Sequence, residues 1–129
     1  MSKKLKVQRQ RVIACNWLKE MDFFSVCCIE LKYKMVETLK NNSDSKSLIH
    51  LEYFHELLLE LESETGVLIS SIKNQVHILE LCLINSPEDY NPSVENSQII
   101  LANEIVLKRH DLNVLEKRFE QHVCLHLSN

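Results

Sequence analysis

Histidine and glutamate side chains from two distant stretches of the chain could together hold a metal ion. Glu52 and His55 have the Glu-x-x-His spacing of carboxylate-bridged helical metal sites, and His50 lies close to them. His122 and His126 are four residues apart, which places two imidazoles on one face of a helix. Borderline metals such as zinc and iron accept these ligands. One hypothesis is therefore a metal site built from these five residues.

The pattern is incomplete as a metal motif. Carboxylate-bridged bundles use two Glu-x-x-His pairs and two further glutamates, and this chain has one such pair. Glu52 and His55 also fall beside the positions of their helix that we predict to face the core, whereas His122 and His126 fall on such positions of theirs. The alternative is that the histidines pack at the edge of a core near a bundle end. We expect no bound cofactor.

A basic segment opens the chain and could contact a polyanion. Residues 1–19 carry a balance of +6 in a chain whose net charge is −3. We expect residues 1–11 to form a basic arm that lies before the regular core pattern. Its candidate contacts to nucleic acid or another anion are Lys3, Lys4, Lys6, Arg9 and Arg11. The arm has no interleaved aromatic residues and the chain has no DNA-reading motif, so nucleic acid is the less favoured partner.

No spacing in the chain predicts catalysis, and we expect no enzyme activity. Ser70 and Ser71 lack the strand-turn-helix setting of a hydrolase nucleophile, and no glycine-rich loop could cradle a phosphate. The five cysteines are odd in number and have no C-x-x-C spacing, which predicts thiols in a reducing compartment. We therefore expect a cytoplasmic protein without a small-molecule substrate.

The composition predicts an all-α fold. The 129 residues include one glycine and two prolines, and Leu, Glu, Lys, Ile and Asn dominate. This length suits a single domain over residues 1–129. No uninterrupted apolar run reaches the ~18 residues of a membrane span, so we expect no transmembrane segment.

The heptad pattern predicts three long helices at about 5–40, 47–85 and 92–127. In the middle one, the a and d positions, which we call the seam, run from Leu51 to Cys82 and pass Gly66 without a shift of phase. We therefore expect one continuous middle helix. Asn91 followed by Pro92 predicts an N-cap and a first-turn proline for the last helix. The expected core includes Trp17, Phe24, Leu58, Leu61, Ile72, Leu112, Leu115 and Phe119.

Short connections predict an elongated antiparallel, up-down-up bundle. A leftover apolar face on the first helix could be covered by a second copy of the chain. It comprises Ile13, Phe23, Val26 and Tyr33.

These expectations favour a non-enzymatic protein–protein interaction module, that is, an adaptor, a scaffold or a chaperone-like bundle. Its partner would be another protein or the chain itself. The first alternative is a metal-binding bundle that uses the histidine cluster. The second is a nucleic-acid or membrane-surface accessory that uses the basic arm.

Overall fold

The computed structural model, which describes residues 2–41 and 45–126, shows the predicted all-α bundle of three long helices that pack against one another. Helix α1 spans Lys3–Lys40, α2 spans Ser45–Ile84 and α3 spans Pro92–His126, with a short 3-10 turn at Pro87–Asp89. The described helix ends lie within two residues of the predicted ones, which is ordinary variation for terminal turns.

Burial of the seam holds α2 in place. All ten seam positions of this helix are buried, as the heptad pattern predicts. They are Leu51, Phe54, Leu58, Leu61, Thr65, Leu68, Ile72, Gln75, Leu79 and Cys82. Helix α2 continues through Gly66, which confirms the prediction of one middle helix. A mid-helix glycine costs about 1 kcal/mol relative to alanine, less than burying a single leucine contributes.

The predicted core residues of the three helices are buried with one difference. Seven of the eight predicted core residues are buried, whereas Trp17 is only partly buried against the core of its unit. Asn91 caps α3 as predicted, because its Oδ1 accepts hydrogen bonds from the backbone N–H of Ser93 at 3.0 Å and of Val94 at 3.1 Å.

Packing divides the chain into two compact units, each made of parts of several helices. Unit 1 consists of Met1–Phe23 and Gly66–Leu107, and unit 2 consists of Phe24–Thr65 and Lys108–Asn129. One core cluster in unit 1 contains Val7, Ala14, Leu79, Cys82 and Tyr90. In unit 2, the rings of Phe54 and Phe119 meet edge to face with centroids 6.4 Å apart. A single domain over residues 1–129 stays a prediction.

Ion pairs within unit 1 show the helix directions. Lys6 Nζ lies 2.8 Å from Glu95 Oε1, so the start of α1 lies beside the start of α3. Arg11 Nε lies 3.4 Å from Glu80 Oε1 near the end of α2. Helix α2 therefore runs antiparallel to α1 and α3 in this unit.

The basic arm requires a correction. Residues 3–11 are the first turns of α1, in keeping with the helix predicted from about residue 5, but Val7 has no exposed surface, so the core pattern begins earlier than predicted. Val7 lies seven residues before Ala14 and continues the α1 seam toward the N-terminus. The basic side chains around it obscured this apolar position in the sequence.

Helix α2 also resembles a membrane span in one respect. By length and composition alone, Lys46–Ile84 is apolar enough to cross a membrane. This is weak support for insertion, because the core helix of a bundle passes the same test. The absence of a transmembrane segment therefore stays a prediction.

Replacing Gly66 with alanine tests the continuous helix. Gly66→Ala should raise the free energy of unfolding by about 0.5–1 kcal/mol, because alanine restricts the unfolded chain and favours the helix. A Cβ at this position would meet nothing within 4 Å. Gly66 therefore does not mark a place where another helix crosses closely. Urea denaturation measures the change, with Ser63→Ala on the same helix as the control for helix propensity. A less stable Gly66→Ala variant would contradict the expectation.

Two neighbouring substitutions test whether the N-terminal turns belong to the fold. Val7→Ala should lower the free energy of unfolding by about 1–3 kcal/mol, because it empties a fully buried position. Leu5→Ala, at a position 58% exposed, should change it by less than about 0.5 kcal/mol. Equal denaturation midpoints for the two variants would show that the first turns of α1 contribute nothing to the core.

Candidate functional site

Two of the five predicted metal ligands meet in unit 2. The rings of His50 and His122 lie with centroids 5.2 Å apart and planes tilted by 45°. His122 is buried on the α3 seam and approaches the Phe54 ring edge-on at 5.7 Å. The two imidazoles thus belong to an aromatic cluster that also contains Phe119. Two of the histidines thus come together, as the metal hypothesis expects. His122 also packs against aromatic rings, as the packing alternative expects.

The other predicted ligands do not complete a metal site within the part of the chain that the structure describes. No group of three or more His, Cys, Asp or Glu side chains that could hold a metal occurs there. Glu52 is exposed and His55 is partly buried, beside the seam rather than on it. The side chain of His126 lies outside the described residues. Two imidazoles alone fall short of the three or four protein ligands that zinc sites use.

The basic side chains at the start of α1 are largely engaged inside unit 1. Lys3, Lys6 and Arg11 form ion pairs with Glu88, Glu95 and Glu80, respectively. The hydrogen bond to Glu95 raises the pKa of Lys6, and the Lys6 ammonium also lies 5.5 Å from the centroid of the Tyr90 ring. Lys4 and Arg9 are exposed. The charge that the sequence offers to a polyanion is therefore partly neutralised by acidic neighbours.

The thiols that show perturbed protonation are shifted away from nucleophilic chemistry. None of the five cysteines, all within the described ranges, forms a disulfide. Burial, followed by the nearby Glu62 carboxylate, raises the pKa of Cys28 to about 11. Burial also raises the pKa of Cys27 and Cys82. A cysteine nucleophile needs the opposite shift, because the thiolate is the reactive form.

Two open grooves lie on the surface of unit 2. The first, of about 310 Å³, lies between α2 and α3 and includes Glu60, Glu64 and Arg118. The second, of about 650 Å³, lies between α1 and α3 and includes Tyr33, Glu37 and Val123. Both combine charged and apolar walls, and the first groove is also lined by His110 and Asp111. Neither groove indicates a particular ligand.

The most distinctive surface of unit 1 is the outward side of α3. We call it the outer α3 face, and it consists of Ile99, Ile100, Asn103, Val106 and Leu107. The four apolar residues are exposed over 55%, 59%, 58% and 52% of their surface, and Asn103 is exposed between them. At about 100° per residue the five side chains share an arc of about 120° and extend about 12 Å along the helix. They form one strip in which four apolar side chains surround the amide of Asn103.

This strip carries no charged side chain. Residues 96–103 contain no ionisable group, and Glu104 lies about 100° around the helix from Asn103, outside the strip. Scattered exposed aliphatic residues are normal on a protein surface, whereas a continuous uncharged apolar strip is typical of an interaction site. The outer α3 face is therefore the candidate functional surface.

Sequence reasoning overlooked this face because it followed the seam. The leftover face predicted on α1 is also exposed, but Ile13 and Phe23 belong to unit 1 while Val26 and Tyr33 belong to unit 2. The signal for the outer α3 face was present in the segment QIILANEIVL at 98–107. Its isoleucine pair is followed, seven residues later, by a second apolar pair off the seam.

Comparison of the chain with protein-family models, with curated proteins and with solved structures finds no match. Its function has to be inferred from the side chains described above.

Elemental analysis tests the metal hypothesis. The protein purified without a histidine tag should contain less than about one equivalent of any transition metal, because His50 and His122 provide only two nitrogen ligands. A stoichiometric metal would contradict this expectation, and its loss together with thermal stability in the double change His122→Ala and His126→Ala would assign it to the histidine cluster. His77→Ala with His110→Ala is the matched control for loss of two other histidines.

Proposed function

We propose that the chain is a non-enzymatic protein–protein interaction module, an adaptor, scaffold or chaperone-like bundle, and that it docks its partner on the outer α3 face. Docking would follow the helix-against-helix mode, in which an apolar strip of one helix packs against an apolar helix of the partner. The partner chemistry that fits is an uncharged apolar helix surface.

The observation that supports this proposal most is that α3 is apolar on two opposite sides at residues 99–107. Leu101 and Ile105 are buried in the fold, while the Ile99–Ile100 and Val106–Leu107 pairs face outward. An apolar side of a helix is normally covered by other residues. Among the described residues, the chain covers the inward apolar side of this stretch and leaves the outward one exposed. A partner would cover the other side.

The raised pKa values of three cysteines argue against a cysteine nucleophile, which agrees with the non-enzymatic part of the proposal. At neutral pH the buried thiol of Cys28, with a pKa of about 11, is almost entirely protonated. Reduced thiols also fit the cytoplasmic location that we propose, because oxidising compartments favour disulfides.

The metal-binding alternative is supported by one specific observation, the contact between the His50 and His122 rings at 5.2 Å. Two imidazoles so close together could share a metal whose remaining ligands come from water or a partner. It ranks second because the described residues supply no third ligand to the group. The nucleic-acid or membrane-surface alternative ranks third, because three of its five candidate cations pair with glutamates within unit 1.

Site-specific photo-crosslinking in the native cells tests the interaction surface. A photo-reactive phenylalanine analogue at Val106 should form covalent protein adducts, because this position lies in the proposed interface. The same analogue at Val67, an exposed valine of α2 in the same unit, is the control and should form few or none. Adducts that are absent at Val106, or equal at the two positions, would overturn the proposed docking surface.

A further inference from the structure

The four apolar residues of the outer α3 face are placed symmetrically about Asn103. Its residues lie three and four positions on either side of Asn103: Ile100 and Val106 at three, Ile99 and Leu107 at four. With about 100° per residue, the pairs fall at about 60° and 40° to either side of the Asn103 direction. A half-turn about an axis through Asn103 therefore superimposes apolar positions on apolar positions.

We infer that the occupant of the outer α3 face is a second copy of this chain, and that the two copies meet about a two-fold axis at Asn103. This inference rests on the proposed function and names its partner. An isologous interface uses the same patch on both subunits, so the patch must be complementary to itself. A strip arranged symmetrically about its central residue meets that requirement.

The central asparagine favours a second copy over an unrelated apolar partner. Against a purely apolar surface, the Asn103 amide would be buried without hydrogen bonds, which is costly. At a two-fold axis it faces the same amide of the other copy, and each side chain has both a donor and an acceptor to offer. Single asparagines in apolar helix interfaces set register and oligomeric state in this way.

The charge distribution is compatible with self-association. The chain has a net charge of −3, so two copies repel one another at long range. The outer α3 face carries no ionisable side chain, and contact through it opposes no like charges inside the interface. The strip is short beside a standard interface of about 800 Å² per partner, so we expect a weak dissociation constant, of the order of 10–100 µM.

Sedimentation equilibrium of the full chain, at about 1–500 µM in reducing buffer, measures this association. The wild-type chain should populate a species of twice the monomer mass. Asn103→Asp should raise the dissociation constant at least about tenfold at neutral pH, because two carboxylates would oppose one another at the axis. Asn74→Asp, the same change at an exposed position of α2 in unit 1, should leave it unchanged. Equal effects of the two changes would overturn the inference.

Disulfide trapping tests the position of the axis. A residue at a two-fold axis faces its own counterpart, so Asn103→Cys in a Cys124→Ser background should form a covalent dimer under mild oxidation. Asn74→Cys in the same background is the control and should form no covalent dimer. Failure of the Asn103→Cys variant to cross-link while the wild-type chain dimerises would place the interface elsewhere.

The two proposals can fail separately. A wild-type chain that stays monomeric throughout the concentration range overturns the inference that the partner is a second copy of the chain. The interaction module survives that result only if the analogue at Val106 forms adducts with a different protein. Monomeric chain together with no adduct at Val106 overturns both.

Discussion

A chain of buried side-chain amides fixes how the helices of unit 1 meet. Gln75 Nε2 donates to Gln98 Oε1 at 2.9 Å and to the Val94 carbonyl at 3.1 Å. Gln98 Nε2 in turn donates to the Gln10 carbonyl at 3.0 Å, so three helices share one set of hydrogen bonds. Both amide side chains are buried, and a buried amide left unpaired would cost about 1–3 kcal/mol. A slip of any helix by one residue would break this set.

The amide chain also determines which residues of α3 face outward. Because Gln98 points into the core, Ile99 and Ile100 are rotated from it by about 100° and 200° and must leave the seam. The same rotation applies one heptad later to Val106 and Leu107. The exposed strip is therefore a consequence of the register that the amides enforce. A polar constraint inside the unit positions the apolar surface outside it.

In unit 2, two polar residues on the seam are paired in a different way. Lys108 lies on the α3 seam with only 9% of its side chain exposed, and its Nζ reaches Glu64 Oε2 at 2.7 Å. Because Glu64 is half exposed, the ammonium is paired at the edge of the unit rather than deep within it, and the cost of desolvation is reduced. The buried Thr65 hydroxyl donates to the Leu61 carbonyl at 2.7 Å. The Lys108 ammonium and the Thr65 hydroxyl thus each have a nearby partner.

The sequence was most informative where one periodicity decided the outcome. The α2 seam, its continuity through Gly66 and the Asn91 cap followed from local rules of spacing and hydrogen bonding. Val7 was missed because the surrounding basic residues suggested a separate arm, although Val7 lies in phase with Ala14. Pairs such as Lys6 with Glu95 join residues far apart in the chain, and no local pattern specifies them. The histidine contact was anticipated from helix order, but which ligands could converge depended on rotations that spacing alone does not give.

Helix α3 uses its two sides for different purposes. Its inward side includes Gln98, Lys108 and His122, polar residues that restrict how it can pack but contribute less apolar burial than leucines at those positions would. Its outward side at 99–107 carries apolar residues whose transfer from water contributes to stability only when something covers them. The inward side therefore determines how the helix packs. The outward side at 99–107 keeps apolar surface exposed to water. The polar residues of the inward side fix the register of α3, and that register determines which residues the outward strip exposes.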